Sequence, residues 1–281
     1  MKKSISYWSF PGGLEGKAPL STCFRDAKKY GFQAIEPALG DAGDVTPATT
    51  KKECEAIAAD AKAAGIEMSS LATGLFWGKS LTANDPAVRE EAISIGKALI
   101  EKAAWLGLDA VLIVPGAVDV FFLPDAEKVP YDVVYDRSLK ATKKLARTAE
   151  KFKVRIGVEN VWNKFLLSPL EMRDFVDAVD SKYVGTYFDI GNVMLTGFPQ
   201  HWISILGKRI VRIHIKDFKT SVGTAAGFVD LLEGDVPWAD AMKALRKAGY
   251  KSYVTAEMIP WHKGLLEKTS KAMDKILAYG K

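Results

Sequence analysis

Short runs of β-branched and aromatic residues alternate along the chain with longer stretches in which apolar residues recur every three to four positions. The short runs cover 4–9, 34–37, 67–72, 110–115, 155–160, 184–190, 210–217 and 253–258, and each predicts a strand. Among the intervening stretches, 87–106 places Val88, Ala92, Ile95, Leu99, Ala103 and Leu106 on one helical face. The segment 131–152 does the same with Leu139, Leu145, Ala149 and Phe152, and 265–278 with Ala272, Met273, Ile276 and Leu277. A helix-ending glycine returns the chain to a strand four times, in Tyr30-Gly31-Phe32, Ala64-Gly65-Ile66, Leu106-Gly107-Leu108 and Ala248-Gly249-Tyr250. Eight strand–helix units without a Pro-, Gly- or Ser-rich linker predict an α/β fold, a single (β/α)8 TIM barrel spanning residues 1–281 as one domain. A doubly wound open sheet would place a phosphate-binding glycine loop after the first strand, but Phe10-Pro11-Gly12-Gly13-Leu14 is not one. Helix-to-strand turns are short, while the strand-to-helix loops 10–20, 116–130 and 218–237 are long. In a barrel, such loops crown the C-terminal ends of the strands, where chemistry is placed.

Composition narrows the function classes. With 48% hydrophobic and 26% charged residues the chain is neither disordered nor fibrous. Its longest apolar stretch, around Ala110–Val114, is too short to span a bilayer, so no membrane partner is expected. The N-terminus has no leader-like apolar core, which points away from secretion. Cys23 and Cys54 lie in separate helical stretches and form neither a disulfide framework nor a zinc knuckle, so a reducing cytoplasmic location is expected. The net charge of +5 is spread along the whole chain; it argues against nucleic acid and suits a small anionic substrate. A homo-oligomer is left open.

Candidate chemistry comes from charged residues where packing does not call for them. Glu36 ends the second strand, Glu159 the fifth, Asp189 the sixth and Glu257 the eighth; His214 lies within the seventh, followed by Lys216 and Asp217. Any one carboxylate is explained by a salt bridge to a neighbouring strand. The four residues on strands five to eight are different, because consecutive strands bring Glu159, Asp189, His214 and Glu257 to one arc of the rim. Three carboxylates converge only around a cation. Three oxygen donors and one imidazole suit a single divalent ion, Mn²⁺ before Mg²⁺, Co²⁺ or Zn²⁺.

The same residues carry a resemblance. Val158-Glu159-Asn160, Phe188-Asp189-Ile190-Gly191-Asn192, His214-Ile215-Lys216-Asp217 and Ala256-Glu257-Met258 resemble the metal-binding strand ends of the xylose-isomerase-like barrels. Glu233-Gly234-Asp235-Val236-Pro237-Trp238 resembles that superfamily's entry to the seventh helix. Within it the chain is most similar to the ketose 3-epimerases, especially the L-xylulose-5-phosphate (hexulose-6-phosphate) 3-epimerase and isomerase group. The resemblance implies that Glu159, Asp189, His214 and Glu257 are metal ligands and that Glu159 and Glu257 are also the catalytic acid/base pair. Tagatose-type epimerases carry a histidine where this chain has Asn192 and an arginine where it has Thr220, so the resemblance implies a phosphorylated ketose rather than a free one.

Elementary chemistry leads to the same reaction. A proton beside a ketone is too weak an acid for a carboxylate alone, and a divalent cation on the carbonyl oxygen and adjacent hydroxyl stabilises the enediolate. Epimerisation then needs a second acid on the other face, and two glutamates supply both. Trp8, Trp77, Trp162 and Trp261 follow strand ends and either wall the site or pack loops onto the barrel. Of the rim lysines, Lys79, Lys164, Lys216, Lys219 and Lys263, Lys216 is the expected contact for a phosphate or the enediolate, with backbone N–H groups of the 223–227 loop as helpers. Asn160 and Asn192 follow ligands and orient a hydroxyl or the ligand set; Glu36 binds a sugar hydroxyl or a basic rim residue. His201 reads as structural and His262 as an exposed loop imidazole. Competing readings are a free-ketose 3-epimerase, an inosose-type dehydratase on the same metal site, and a non-catalytic sugar-binding protein. An endonuclease-IV-like nuclease is excluded, since three histidines cannot build its metal cluster.

Overall fold

Eight parallel strands form one sheet in the order β3-β2-β1-β8-β7-β6-β5-β4: β1 Lys2–Ser6, β2 Ala34–Glu36, β3 Glu67–Met68, β4 Ala110–Ile113, β5 Arg155–Glu159, β6 Val184–Asp189, β7 Ile210–Ile215 and β8 Tyr253–Ala256. A parallel bridge between Leu71 and Val111 joins the two ends and closes the barrel. This computed structural model describes residues 1–123 and 125–280. The helices are α1 Leu20–Lys29, α2 Lys51–Ala63, α3 Pro86–Trp105, α4 Tyr131–Phe152, α5 Pro169–Val179, α6 Pro199–Leu206, α7 Trp238–Lys247 and α8 Leu265–Ala278. No helix among the described residues is long and apolar enough to cross a membrane.

Local chemistry sets the element ends. The Thr50 side chain accepts from Glu53 N while the Glu53 carboxylate accepts from Thr50 N, a reciprocal cap that starts α2. Asp85 and Ser168 cap α3 and α5, each followed by a proline whose missing N–H costs nothing at the first helical position. The expected eight-unit alternation is present, though each strand ends one to four residues before its expected bound, and two of these ends have a clear local cause. The first strand ends at Ser6 instead of residue 9, because the Ser6 hydroxyl accepts from Trp8 N and turns 7–9 into a single 3-10 turn. The third strand breaks after Met68, where Ser69 and Ser70 use their side chains inside the barrel. The chain then resumes as Ala72–Thr73, paired with Ala38–Leu39.

The sheet register positions the chemistry. Asp189 on β6 is the direct neighbour of His214 on β7, and His214 is the neighbour of Thr255 on β8. Side chains alternate across a strand, so Tyr187, Asp189, Arg212, His214, Thr255 and Glu257 share the barrel interior. That interior is buried and polar near the C-terminal rim, inside a sleeve of aliphatic and aromatic residues between strands and helices.

Candidate active site

Glu159 closes β5, Asp189 closes β6, His214 is the penultimate residue of β7, and Glu257 follows β8 directly. One ligand atom from each lies within 4.8 Å of all the others, and all four residues are buried. His214 Nδ1 stands 3.6 Å from a Glu159 oxygen and 3.8 Å from a Glu257 oxygen. Two atoms facing this point are buried: His214 Nδ1, which makes no hydrogen bond, and Asp189 Oδ2, whose neighbour is the Lys216 ammonium at 3.1 Å. Leaving a buried polar atom such as His214 Nδ1 without a partner costs roughly 1–3 kcal/mol. Three carboxylate oxygens with one imidazole are a donor set that divalent cations accept. The residues therefore fit a metal.

The surroundings hold each ligand in place. Glu36 Oε2 meets His214 Nε2 at 2.7 Å, while Oε1 accepts from Ser70 Oγ at 2.7 Å and from the Tyr187 hydroxyl. With Nε2 held by Glu36, Nδ1 is the ring nitrogen left facing the carboxylates. Asn160 grips the backbone of Asp189 from both sides, by Nδ2 to its carbonyl and by Oδ1 from its N–H, each at 2.8 Å. Asn192 N–H donates to Asp189 Oδ1 at 2.9 Å, which leaves Oδ2 to face Lys216.

Lys216 reaches into the same group. Its Nζ is 3.1 Å from Asp189 Oδ2 and donates to Glu257 Oε2. Burial alone would push both glutamates up. For Glu159 it does, to about 7, reinforced by the Glu257 charge. For Glu257 the Lys216 ammonium and His214 outweigh burial and bring the carboxyl below its ordinary range. Burial opposes charge on His214 and Lys216 as well, but the facing carboxylates raise both. The two glutamates thus differ in proton affinity, as an acid/base pair requires.

Asp217, the last residue of the His-Ile-Lys-Asp run, anchors the long loop over the site. Its Oδ1 accepts from Phe218 N and Val236 N, and its Oδ2 from Leu232 N and Trp238 Nε1. This explains the Glu233–Trp238 motif. A Cβ on Gly234 would lie 2.2 Å from Asp217 Oδ1 and 2.6 Å from Phe218 N, so only glycine fits. Gly234→Ala is expected to lower stability by about 2–3 kcal/mol, read as a shifted denaturation midpoint with an unchanged slope.

Above the four ligands opens a cavity of about 780 Å³ whose lining includes Glu159, Glu257, Lys216, Asn192, Trp8 and Trp77. Of the residues expected from sequence to meet substrate, Lys216, Asn192, Trp8 and Trp77 line this cavity. Glu36 does not: it is fully buried beneath the floor with both oxygens engaged, which replaces its expected substrate contact by a contact to His214. Trp162 also lines the cavity and donates Nε1 to Asn192 O. Rim lysines 79 and 164 are paired with Glu91 at 2.8 Å and Asp119 at 2.7 Å. His262 borders the cavity and pairs with Asp230 at 3.1 Å, while His201 is an exposed residue of α6. Tyr187 and Ser70, the other partners of Glu36, escaped the sequence reading. Tyr187 is two residues before Asp189, so strand alternation places it on the same interior face.

The family model for xylose isomerase-like TIM barrels matches residues 24–275. This chain belongs to that family. Another relative of this barrel is an uncharacterized protein of Methanocaldococcus jannaschii, 24% identical over 60% of this chain; the match spans about 57% of the archaeal protein's length. The D-psicose 3-epimerase of Enterocloster bolteae is 26% identical over 83% of this chain and 77% of its own. Among solved structures, the D-psicose 3-epimerase of Clostridium cellulolyticum H10 superposes on this barrel with a TM-score of 0.81 at 18% identity, covering 99% of both chains. The IOLI protein with a zinc atom superposes at 0.78 and 18% identity, again over 99% of both.

Proposed function

We propose that this chain is a metal-dependent sugar epimerase that inverts a carbon next to the ketone of a ketose. The observation that carries the reading is the convergence of three carboxylates on His214 Nδ1, a buried atom without a hydrogen bond, at the floor of an open cavity. The D-psicose 3-epimerase relative and the zinc held by the IOLI protein support it. Glu159, Asp189, His214 and Glu257 would hold the ion, with Mn²⁺ first among the divalent candidates. When bound, the ion supplies Lewis-acid polarisation of the ketone.

The rest of the chemistry belongs to the side chains. Glu257, kept charged by Lys216, removes the proton beside the ketone, and the substrate becomes planar at that carbon. Glu159 returns a proton from the other face through the oxygen that it does not offer to the ion. Lys216 holds Glu257 in position and offers its ammonium to oxygen charge that develops on the substrate. Tryptophans 8 and 77 keep water from the planar intermediate.

The substrate is a neutral ketose in this reading. Lys216 is the lone lysine on the described cavity lining, and Asp189 and Glu257 already claim it. A phosphorylated ketose, as expected from the sequence, would find no free cation there. The test is incubation of the Mn²⁺-loaded chain with candidate ketoses in D₂O, reading deuterium uptake by mass spectrometry. Uptake at C3 with formation of the epimer is expected, and absence of uptake from every ketose would overturn the proposal.

Two further outcomes follow from the ligand set. A proton on Glu159 competes with the ion for one of its oxygens, and a proton on His214 for Nδ1, so affinity falls as pH falls, the Glu159 share of the loss lying near 7. Metal titrations spanning that pH should show affinity climbing with pH. In the metal-free chain the sign is opposite. The native carboxyl holds its proton to about 7 against an ordinary 4.5, so this group lowers stability as pH rises across that interval. Glu36→Ala frees His214 to turn, and about 10–100-fold weaker Co²⁺ binding is expected, with an altered visible spectrum of the bound ion.

A further inference from the structure

A belt of aromatic rings rises from the floor of the cavity to its mouth, and beyond Trp77 the epimerase reading does not use it. Trp77 meets Phe122 edge-on at 5.0 Å between ring centres, Phe122 meets Phe121 at 5.1 Å, Phe121 meets Trp162 at 5.8 Å, and Trp162 meets Phe228 at 5.0 Å. The belt draws on the loops after β3, β4, β5 and β7. Its inner end is part of the site, since Lys216 Nζ sits 5.4 Å from the centre of the Phe228 ring. Its outer end is solvent-facing: Phe121 is 51% and Phe122 47% exposed, and Leu14 and Ile259, also on the cavity lining, are 52% and 42% exposed. Large apolar side chains gathered at one mouth are a binding feature rather than a random surface.

Several polar groups on these walls are already engaged. Thr73 Oγ1 donates to Leu39 O, Trp162 Nε1 donates to Asn192 O, and Asp230 pairs with His262 and Lys268. A free sugar tail carries a hydroxyl on every carbon and would meet rings and aliphatic carbon here. The cavity, at about 780 Å³, lies in the range of roughly 300–1,000 Å³ that accommodates drug-sized ligands, more than one monosaccharide fills.

We infer that the substrate is a keto-sugar bearing a planar, apolar substituent on a carbon remote from the reacting pair, with the sugar over the four ligands and the substituent within the aromatic belt. The inference rests on the epimerase reading and names its substrate class. Edge-to-face ring contacts contribute about 0.5–1.5 kcal/mol beyond the area they bury, so the substituent is a source of selectivity.

Three probes that differ only at the tail test this: D-fructose, D-fructose 6-phosphate and 6-O-benzyl-D-fructose. Each is titrated calorimetrically into the metal-loaded chain and followed for deuterium uptake at C3. The benzyl ether is expected to bind about tenfold more tightly than either of the others, and to lead in kcat/KM by a similar factor. In Phe121→Ala and Phe122→Ala, whose rings are exposed enough to remove without unfolding the barrel, that advantage should shrink towards parity. Equal or weaker binding of the benzyl ether, an advantage untouched by both substitutions, or a preference for the phosphate would each overturn the inference. If none of the three sugars takes up deuterium, the calorimetric ranking still decides whether the belt binds an apolar ring, and the epimerase reading is decided separately by the wider set of candidate ketoses.

Discussion

Glu159→Gln and Glu257→Gln are each expected to turn over a ketose at least about 10³-fold more slowly than the parent chain. Loss of a general acid or base accounts for roughly 10²–10⁴, and each change also removes a charged oxygen from the ligand set. Both substitutions preserve shape, and a neutral amide suits a buried position, so the unfolding temperature should move by only a few degrees. Single-turnover deuterium exchange separates the two roles. If Glu257 takes the proton and Glu159 returns one, Glu257→Gln blocks exchange from the substrate epimer, whereas Glu159→Gln still permits washout on the Glu257 face. Undiminished turnover in either variant would remove the two-glutamate mechanism. Equal loss of washout in both would remove the assignment of faces.

Chelation is the second large effect. A chain treated with a strong chelator and desalted should show no deuterium exchange above background, and Mn²⁺ or Co²⁺ should restore it. The same titration reports on stability, because a ligand that binds only the native state stabilises it by about 4 kcal/mol at a thousand times its dissociation constant. For a chain of this size that corresponds to a rise in Tm on the order of 10 °C. Asp189→Asn removes a carboxylate charge from the ligand set and should lose most of that metal-dependent rise. A metal-dependent rise that survives this substitution would place the ion elsewhere.

How far these side chains were legible in sequence depended on what kind of signal each one carried. The barrel and the convergence of Glu159, Asp189, His214 and Glu257 were readable because strand periodicity and charge conflict: a carboxylate at the end of an apolar run has no packing reason to be there. Helices 131–152 and 265–278 were readable to the residue, since an amphipathic stripe ends where its caps are. Strand ends at Ser6 and Met68 were not, because they depend on where a serine hydroxyl finds its partner. Glu36 was recognised as anomalous, yet its role turned on a contact 178 positions away in the chain. Lys216 was placed correctly at the cavity, but its company of Asp189 and Glu257 depends on the register between β6, β7 and β8. The aromatic belt was the least legible. Phe121, Phe122 and Phe228 lie in loops without periodicity, and loop rings pack inward as commonly as they line a mouth.

The distance between Glu36 and His214 has a consequence for how the protein is made. During synthesis Glu36 leaves the ribosome near the start of the chain, whereas its imidazole partner arrives only after three-quarters of the polypeptide has been translated. Until then an early-closing half-barrel would seal a carboxylate away from water with only the Ser70 and, later, the Tyr187 hydroxyls for company, which is costly. Truncated nascent chains should therefore stay open and sensitive to protease through β6 and become resistant together once β7 and β8 emerge. A single buried pair thus makes the first third of the gene wait for the last, and it gives chaperones a long interval in which the β2 edge is theirs to shield.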